Sequence, residues 1–286
     1  MSPIIDAFFN EPTNTVSYLI ADPTSGAAAV IDPVLDYDAE DGTVDTTSAE
    51  AILAKAAERG WRIELVLETH AHADHLSAAP LFKDRTGAKI GIGERIRDVQ
   101  KVFRPMFGAD DVKDRGGDFD LLFKDKQRIA LGGLTIEVMA VPGHTAADIA
   151  YKVGDAVFVG DSLFMPDYGT ARTDFPGGDA HLLYRSIQRI LSLPDETRLF
   201  MCHDYKAPGR DQYRWETTVA EQRAANVHLA GRTEEEFVAM REARDKTLDT
   251  PKLLLPAIQV NIRAGRFPPA EANGVSYLRI PVTVRG

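Results

Sequence analysis

The chain is short of cysteine, of net positive charge and of long apolar runs, and each shortage removes a class of protein. Cys202 is the only cysteine among 286 residues. No intrachain disulfide can form, and a reducing compartment is expected. No apolar run reaches the roughly 18 residues that a membrane-spanning helix needs. Residues 1–12 carry neither a basic start nor a long apolar stretch. No signal peptide is read there, and the cytoplasm is the expected location. Lys and Arg number 33 against 43 Asp and Glu, a net charge of −10. Neither nucleic acid nor an anionic membrane is an expected partner. An acidic substrate would need a local basic pocket. Also missing are a Walker A loop, a G-x-G-x-x-G turn and a G-x-S-x-G elbow. Their absence argues against phosphate-loop, dinucleotide and serine-hydrolase chemistry.

What is present reads as a soluble enzyme with an ordinary apolar content of 44%. Apolar runs at 16–20, 27–31, 63–67, 88–92, 134–141 and 149–159 predict strands, the last broken by a turn at Gly154-Asp155. A short strand is expected at 198–201. Helices are expected at 48–58, with Ser48 as N-cap, and at 181–191. Residues 107–119 read as loop. Thr233-Glu234-Glu235-Glu236 is a capping box that opens a charged helix ending near Thr247. Leu253 to Ile258 and Tyr277 to Val282 are apolar segments near prolines. Strands with outer helices predict a layered α+β or α/β sandwich. The expected organisation is a catalytic domain over 1–215 and an extension packed on it over 216–286. A homo-oligomer is left open.

The densest chemistry lies at Thr69-His70-Ala71-His72-Ala73-Asp74-His75. Three imidazoles and a carboxylate follow directly on an apolar strand. That mixture suits Zn, Fe or Mn better than Ca or Mg, because nitrogen ligands favour borderline metals. His70 and His72 share parity, so an extended backbone points them to one side. Three more candidates follow apolar segments: His144 in Pro142-Gly143-His144-Thr145, Asp161 after Gly160, and His203 after Cys202. A carboxylate at the end of an apolar strand is costly unless solvated, paired or metal-bound. His181 and His228 match no ligand pattern and read as surface or packing residues. Cys202 reads as a small buried hydrophobe.

The set His70, His72, Asp74, His75, His144, Asp161 and His203 resembles the metallo-β-lactamase superfamily. It looks most like the glutathione-linked branch that holds glyoxalase II and the persulfide dioxygenases. Glu68 to His75, Ala171-Arg172-Thr173-Asp174-Phe175 and His203-Asp204-Tyr205 resemble the dioxygenases. Leu255 to Gly265 resembles the C-terminal extension of some bacterial members. The resemblance implies an αββα sandwich with the metal site at one edge of the two sheets. It implies one Fe(II) per chain on His70, His144 and Asp161, the facial triad of non-haem oxygenases. His72, Asp74, His75 and His203 would then orient ligands or substrate through hydrogen bonds. The implied substrates are glutathione persulfide and O₂, with Arg172, Tyr205, Lys206, Arg210 and Arg214 as candidate substrate contacts. The alternative is a dinuclear Zn or Fe thioester hydrolase of the glyoxalase II type, with those four residues helping to bind a second metal. A non-catalytic metal-binding or sensor protein on the same fold is the third reading.

Overall fold

The computed structural model describes residues 1–282 and 284. In chain order the strands are β1 (Ile4–Asn10), β2 (Thr15–Ala21), β3 (Ala27–Ile31), β4 (Val34–Asp38), β5 (Thr43–Asp45), β6 (Arg62–Leu67), β7 (Leu76–Ser77), β8 (Lys89–Gly93), β9 (Leu121–Phe123), β10 (Arg128–Leu131), β11 (Leu134–Ala140), β12 (Ile149–Val153), β13 (Ala156–Phe158), β14 (Arg198–Phe200) and β15 (Glu216–Thr218). The helices are α1 (Thr47–Arg59), α2 (Ala79–Thr86), α3 (Ile96–Phe107), α4 (Ala180–Leu191), α5 (Val219–Ala225), α6 (Glu234–Asp245) and α7 (Leu254–Asn261).

Two six-stranded sheets face each other, ordered β1-β2-β3-β6-β8-β9 and β10-β11-β12-β13-β14-β15. The pairs β3–β6, β6–β8, β8–β9 and β13–β14 are parallel. Parallel neighbours need long crossovers, and α1, α2, α3 and α4 supply them in that order. Along β2, Val16, Tyr18 and Ile20 enter the core between the sheets. Leu19 and Ala21 instead face the helical layer with Ile52, Phe82 and Phe103. The outer face of the second sheet packs on α4, α5 and α6 through Leu183, Ile187, Val219 and Phe237. Both faces of each sheet are thus buried, which explains why the strands read as unbroken apolar runs. The architecture is the expected αββα sandwich.

Several boundaries differ from the sequence reading. Ser48 does not cap α1: the N-cap is Thr46, and Ser48 Oγ donates to Asp36 at 2.7 Å. Strand β1 and helices α2 and α3 were not expected. Helix α3 carries Pro105 near its end, a residue that argues against helix in sequence. The capping box at Thr233 is present.

The chain beyond residue 215 is spread over both faces. Strand β15 forms the edge of the second sheet, α6 packs on α4, and α7 packs against β7 and α3. Among the described residues, no helix is long and apolar enough to cross a membrane.

Candidate metal centre

Each cluster residue is delivered by a strand end and fixed by a local device. Strand β6 ends at Leu67, and the chain is then turned by Asp32, at the end of β3. Asp32 accepts from Thr69 N at 2.7 Å and from Thr69 Oγ1 at 2.8 Å. Asn261, on α7, donates to the carbonyls of His72 and His75 and accepts from Ser77 N, at 2.8, 2.8 and 2.9 Å. That one side chain ties three backbone groups of the loop together. His144 follows Gly143, where a Cβ would lie 2.3 Å from Leu183 Cα. Only glycine fits there. Asp161 follows Gly160 after β13, and His203 pairs with Thr15 across an isolated bridge.

These devices bring the seven residues together. His144 Nε2 lies 3.7 Å from Asp161 Oδ2, and His203 Nε2 lies 3.4 Å from Asp161 Oδ1 and 3.2 Å from Asp74 Oδ2. Ligand atoms of His70, His144 and Asp161 fall within 4.8 Å of one another, as do those of His72, Asp74 and His75.

In every ring, one nitrogen is already committed. His144 Nδ1 donates to the carbonyl of Arg172 at 2.8 Å, and His203 Nδ1 to that of Asn14 at 3.2 Å. Nε2 of His72 faces Asp32 at 3.0 Å. His70 Nδ1 faces the Thr69 hydroxyl at 3.0 Å, and His75 Nδ1 lies 3.5 Å from Asp74. The opposite atoms are orphaned: His70 Nε2, His72 Nδ1, His75 Nε2, His203 Nε2 and Asp161 Oδ1 are buried without a hydrogen-bond partner. Buried polar atoms left unmet cost about 1–3 kcal/mol each. Five in one place, all lone-pair donors, fit a bound cation, and the outer hydrogen bonds set each ring in the tautomer a metal needs.

The titration behaviour agrees for His70, His72 and Asp74, whereas at His203 burial is outweighed by Asp74 and then Asp161, which raise the imidazole pKa. Burial, then His72, pushes the His70 pKa well below the usual imidazole value, and burial, then His75, does the same to His72. Both rings are therefore neutral and free to ligate. Burial opposes ionisation of Asp74, but His203 and His75 outweigh it and hold its carboxyl well below the ordinary range. Behind the cluster, burial raises both Asp32 and Glu68.

The centre opens into a cleft of about 880 Å³ whose lining includes Asp74, His144 and Asp161. Arg172 and Tyr205, two of the candidate substrate contacts, line it. Arg172, however, is already committed: it chelates Asp174 at 2.6 and 2.7 Å and donates to the Asp249 carbonyl at 2.7 Å. Lys206, Arg210 and Arg214 do not line the cleft. Lys206 lies over the Tyr213 ring, Arg210 grips Asp204 and Asp167, and Arg214 faces Glu221. The cleft's exposed cations are Arg244 and Lys252, which have no acceptor among the described residues. Neither carries a local sequence signal, because each reaches the cleft only through the packing of α6 and the loop after it. Cys202 is buried, its Sγ 3.7 Å from Asp32 Oδ2, and burial holds the thiol well above its usual pKa, which suits an inert packing residue.

Known proteins agree with this geometry. Residues 10–203 match the model of the metallo-beta-lactamase superfamily. A beta-lactamase hydrolase-like protein of Agrobacterium fabrum is 51% identical over 99% of this chain, which spans 65% of that relative's length. The human mitochondrial persulfide dioxygenase ETHE1 is 30% identical over 92% of this chain and 90% of its own. The crystal structure of ETHE1 from Myxococcus xanthus superposes with a TM-score of 0.74 at 32% identity, covering 92% of this chain and all of that one. The fold, the seven clustered residues and these likenesses together make the chain a member of the metallo-beta-lactamase superfamily.

Proposed function

We propose that this protein is a non-haem Fe(II) persulfide dioxygenase acting on glutathione persulfide. The overall reaction is glutathione persulfide plus O₂ and water to glutathione and sulfite. The observation that carries the reading is the grouping of His70, His144 and Asp161, with two of the three lining the cleft. Two imidazoles and one carboxylate suit Fe(II) and leave coordination positions open. The likeness to persulfide dioxygenase ETHE1 supports it.

Bound Fe(II) would supply the redox chemistry that joins O₂ to a sulfur. The chain's own residues do the rest. Asp161 offsets cation charge. Phe164, Phe175 and Tyr205 give the cleft an aromatic wall against which the persulfide can pack. Arg244 and Lys252 face the cleft as free cations suited to the substrate's carboxylates. A persulfide held there converts a collision into an oriented encounter.

The second reading is a dinuclear thioester hydrolase. The orphaned nitrogens of His72, His75 and His203 favour it, since they offer a second metal position beside Asp161. Metal analysis with oxygen uptake separates the two. Protein purified without added metal should hold about one iron per chain and consume O₂ with glutathione persulfide. Two metals with thioester cleavage and no O₂ uptake would replace the first reading by the second.

A further inference from the structure

His144 is oriented by a peptide group that is itself held from its other end. Its Nδ1–H donates to the Arg172 carbonyl at 2.8 Å. That carbonyl belongs to the same trans, planar unit as the N–H of Thr173. The N–H points the opposite way and donates to Asp245 Oδ2 at 2.9 Å, joined by Thr173 Oγ1 at 3.0 Å. The other Asp245 oxygen accepts from Arg241 Nε at 2.9 Å, with Arg241 Nη2 at 2.7 Å. Arg241 also donates to the Thr170 carbonyl at 3.0 Å. Thr173, Arg241 and Asp245 are 8%, 1% and 5% exposed, so the chain of bonds is largely shielded from solvent.

We propose that Asp245 is a positioning residue for His144, acting through the Arg172–Thr173 peptide as a carboxylate–peptide–imidazole chain. This rests on the reading that His144 is a metal ligand. Hydrogen bonds in series polarise one another. A carboxylate that draws on the Thr173 N–H enriches the Arg172 oxygen, which then holds the imidazole N–H more strongly. The ring is fixed in the tautomer that frees Nε2, and Nε2 becomes the better donor to a cation. Metal-bound histidines commonly make such a contact with a carboxylate, a carbonyl or water. Here a carbonyl makes the contact and a carboxylate backs it from the far side of one peptide plane. Arg241 sits four residues before Asp245, on the same helix face, and supplies the charge that lets a buried carboxylate persist. The last turn of α6 would thus reach the metal centre without lining it.

The test is Co(II) titration of metal-free protein, read as an apparent dissociation constant and as the visible spectrum of the bound ion. Four variants are compared: Asp245→Asn, the double variant Arg241→Met with Asp245→Leu, Phe237→Leu, and His144→Ala. The double variant removes both charges together, so that neither is left buried and unpaired as Arg241 is in Asp245→Asn. Phe237→Leu loosens α6 where it meets Tyr184 of α4 without touching Asp245. Both Asp245 variants should bind Co(II) about 10-fold more weakly or worse, with a changed spectrum, by the usual cost of losing outer support. Phe237→Leu should melt earlier yet keep wild-type affinity and spectrum. Wild-type affinity and spectrum in the Asp245 variants, or an equal loss in Phe237→Leu, would overturn the positioning role while His144→Ala still showed His144 to be a ligand. Unchanged Co(II) binding in His144→Ala would instead remove the metal assignment and the proposal with it.

Discussion

The metal centre and the far wall of the cleft are built by opposite rules. In the centre, His70, His72, His75 and His203 are each no more than 1% exposed, and every ring is tied through one nitrogen to a fixed acceptor. On the wall, Arg244 and Lys252 project from the end of α6 and the loop after it, exposed and without acceptors among the described residues. A cation site has to be preorganised, because moving a buried ligand atom is costly and a metal accepts little misplacement. A recognition wall does better with long side chains that adapt to the substrate, at the expense of the entropy lost on binding. The comparison predicts large, all-or-none effects in one region and graded effects in the other.

The largest effect should come from the ligands. His144→Ala should lose the metal and all oxygen-consuming activity, whereas His203→Ala should keep about one iron and some activity, within the roughly 10–100-fold cost of losing an outer support. Iron content and oxygen uptake measure both. Two metals in the wild type and one in His203→Ala would move the protein to the dinuclear reading.

Asn261 should come next. Asn261→Ala leaves the His72 and His75 carbonyls and Ser77 N without their shared partner, so stability should fall by about 2–4 kcal/mol. Thermal or denaturant unfolding checks it. A loss within about 0.5 kcal/mol would mean that the loop is held by something other than α7.

The wall should respond more weakly. Arg244→Ala and Lys252→Ala should each raise KM for glutathione persulfide about 2- to 5-fold with iron unchanged, since exposed ion pairs contribute only about 0.2–1 kcal/mol. Steady-state oxygen uptake reads this. A fall in iron content instead would blur the distinction between the two regions.

A last effect, read only in acid, concerns His228, which holds the loop leading to Arg172 by accepting from Thr170 N at 3.0 Å. Burial, then Arg241, lowers its pKa to about 4. Its folded pKa thus lies below the unfolded value of about 6.5. The stability it contributes is complete above about pH 6.5 and is lost as pH falls toward 4. In metal-free protein, wild type should lose stability over that window more steeply than His228→Asn. Parallel pH–stability curves would argue against a neutral, buried His228.

Much of the centre was legible in the sequence because its ligands are clustered and end apolar strands. H-x-H-x-D-H, Gly143-His144, Gly160-Asp161 and Cys202-His203 needed only the apolar runs before them to be read as one candidate site. The core strands β2, β3, β6, β11 and β12 were legible for the same reason. Helix α3 was not, because Pro105 and its surface charges mask its apolar stripe. Arg210 shows the converse failure. As a basic residue close to His203 in sequence it looked like a substrate contact, but its guanidinium is used up by Asp204 and Asp167.

By itself, the sequence determined which residue types end which strands, and hence the metal-binding inventory and the layered class of the fold. These depend on local pattern: an unbroken apolar run, a turn glycine, a metal-ligating residue type at the strand's end. Only the tertiary structure decided which nitrogen of each ring is free, which cations face the cleft, that Asn261 holds the cluster loop from 184 to 189 residues away, and that Asp245 meets Thr173 across 72. Most of those facts depend on packing or hydrogen bonds between segments far apart in the chain, and a contact between distant segments leaves no periodic trace in either of them.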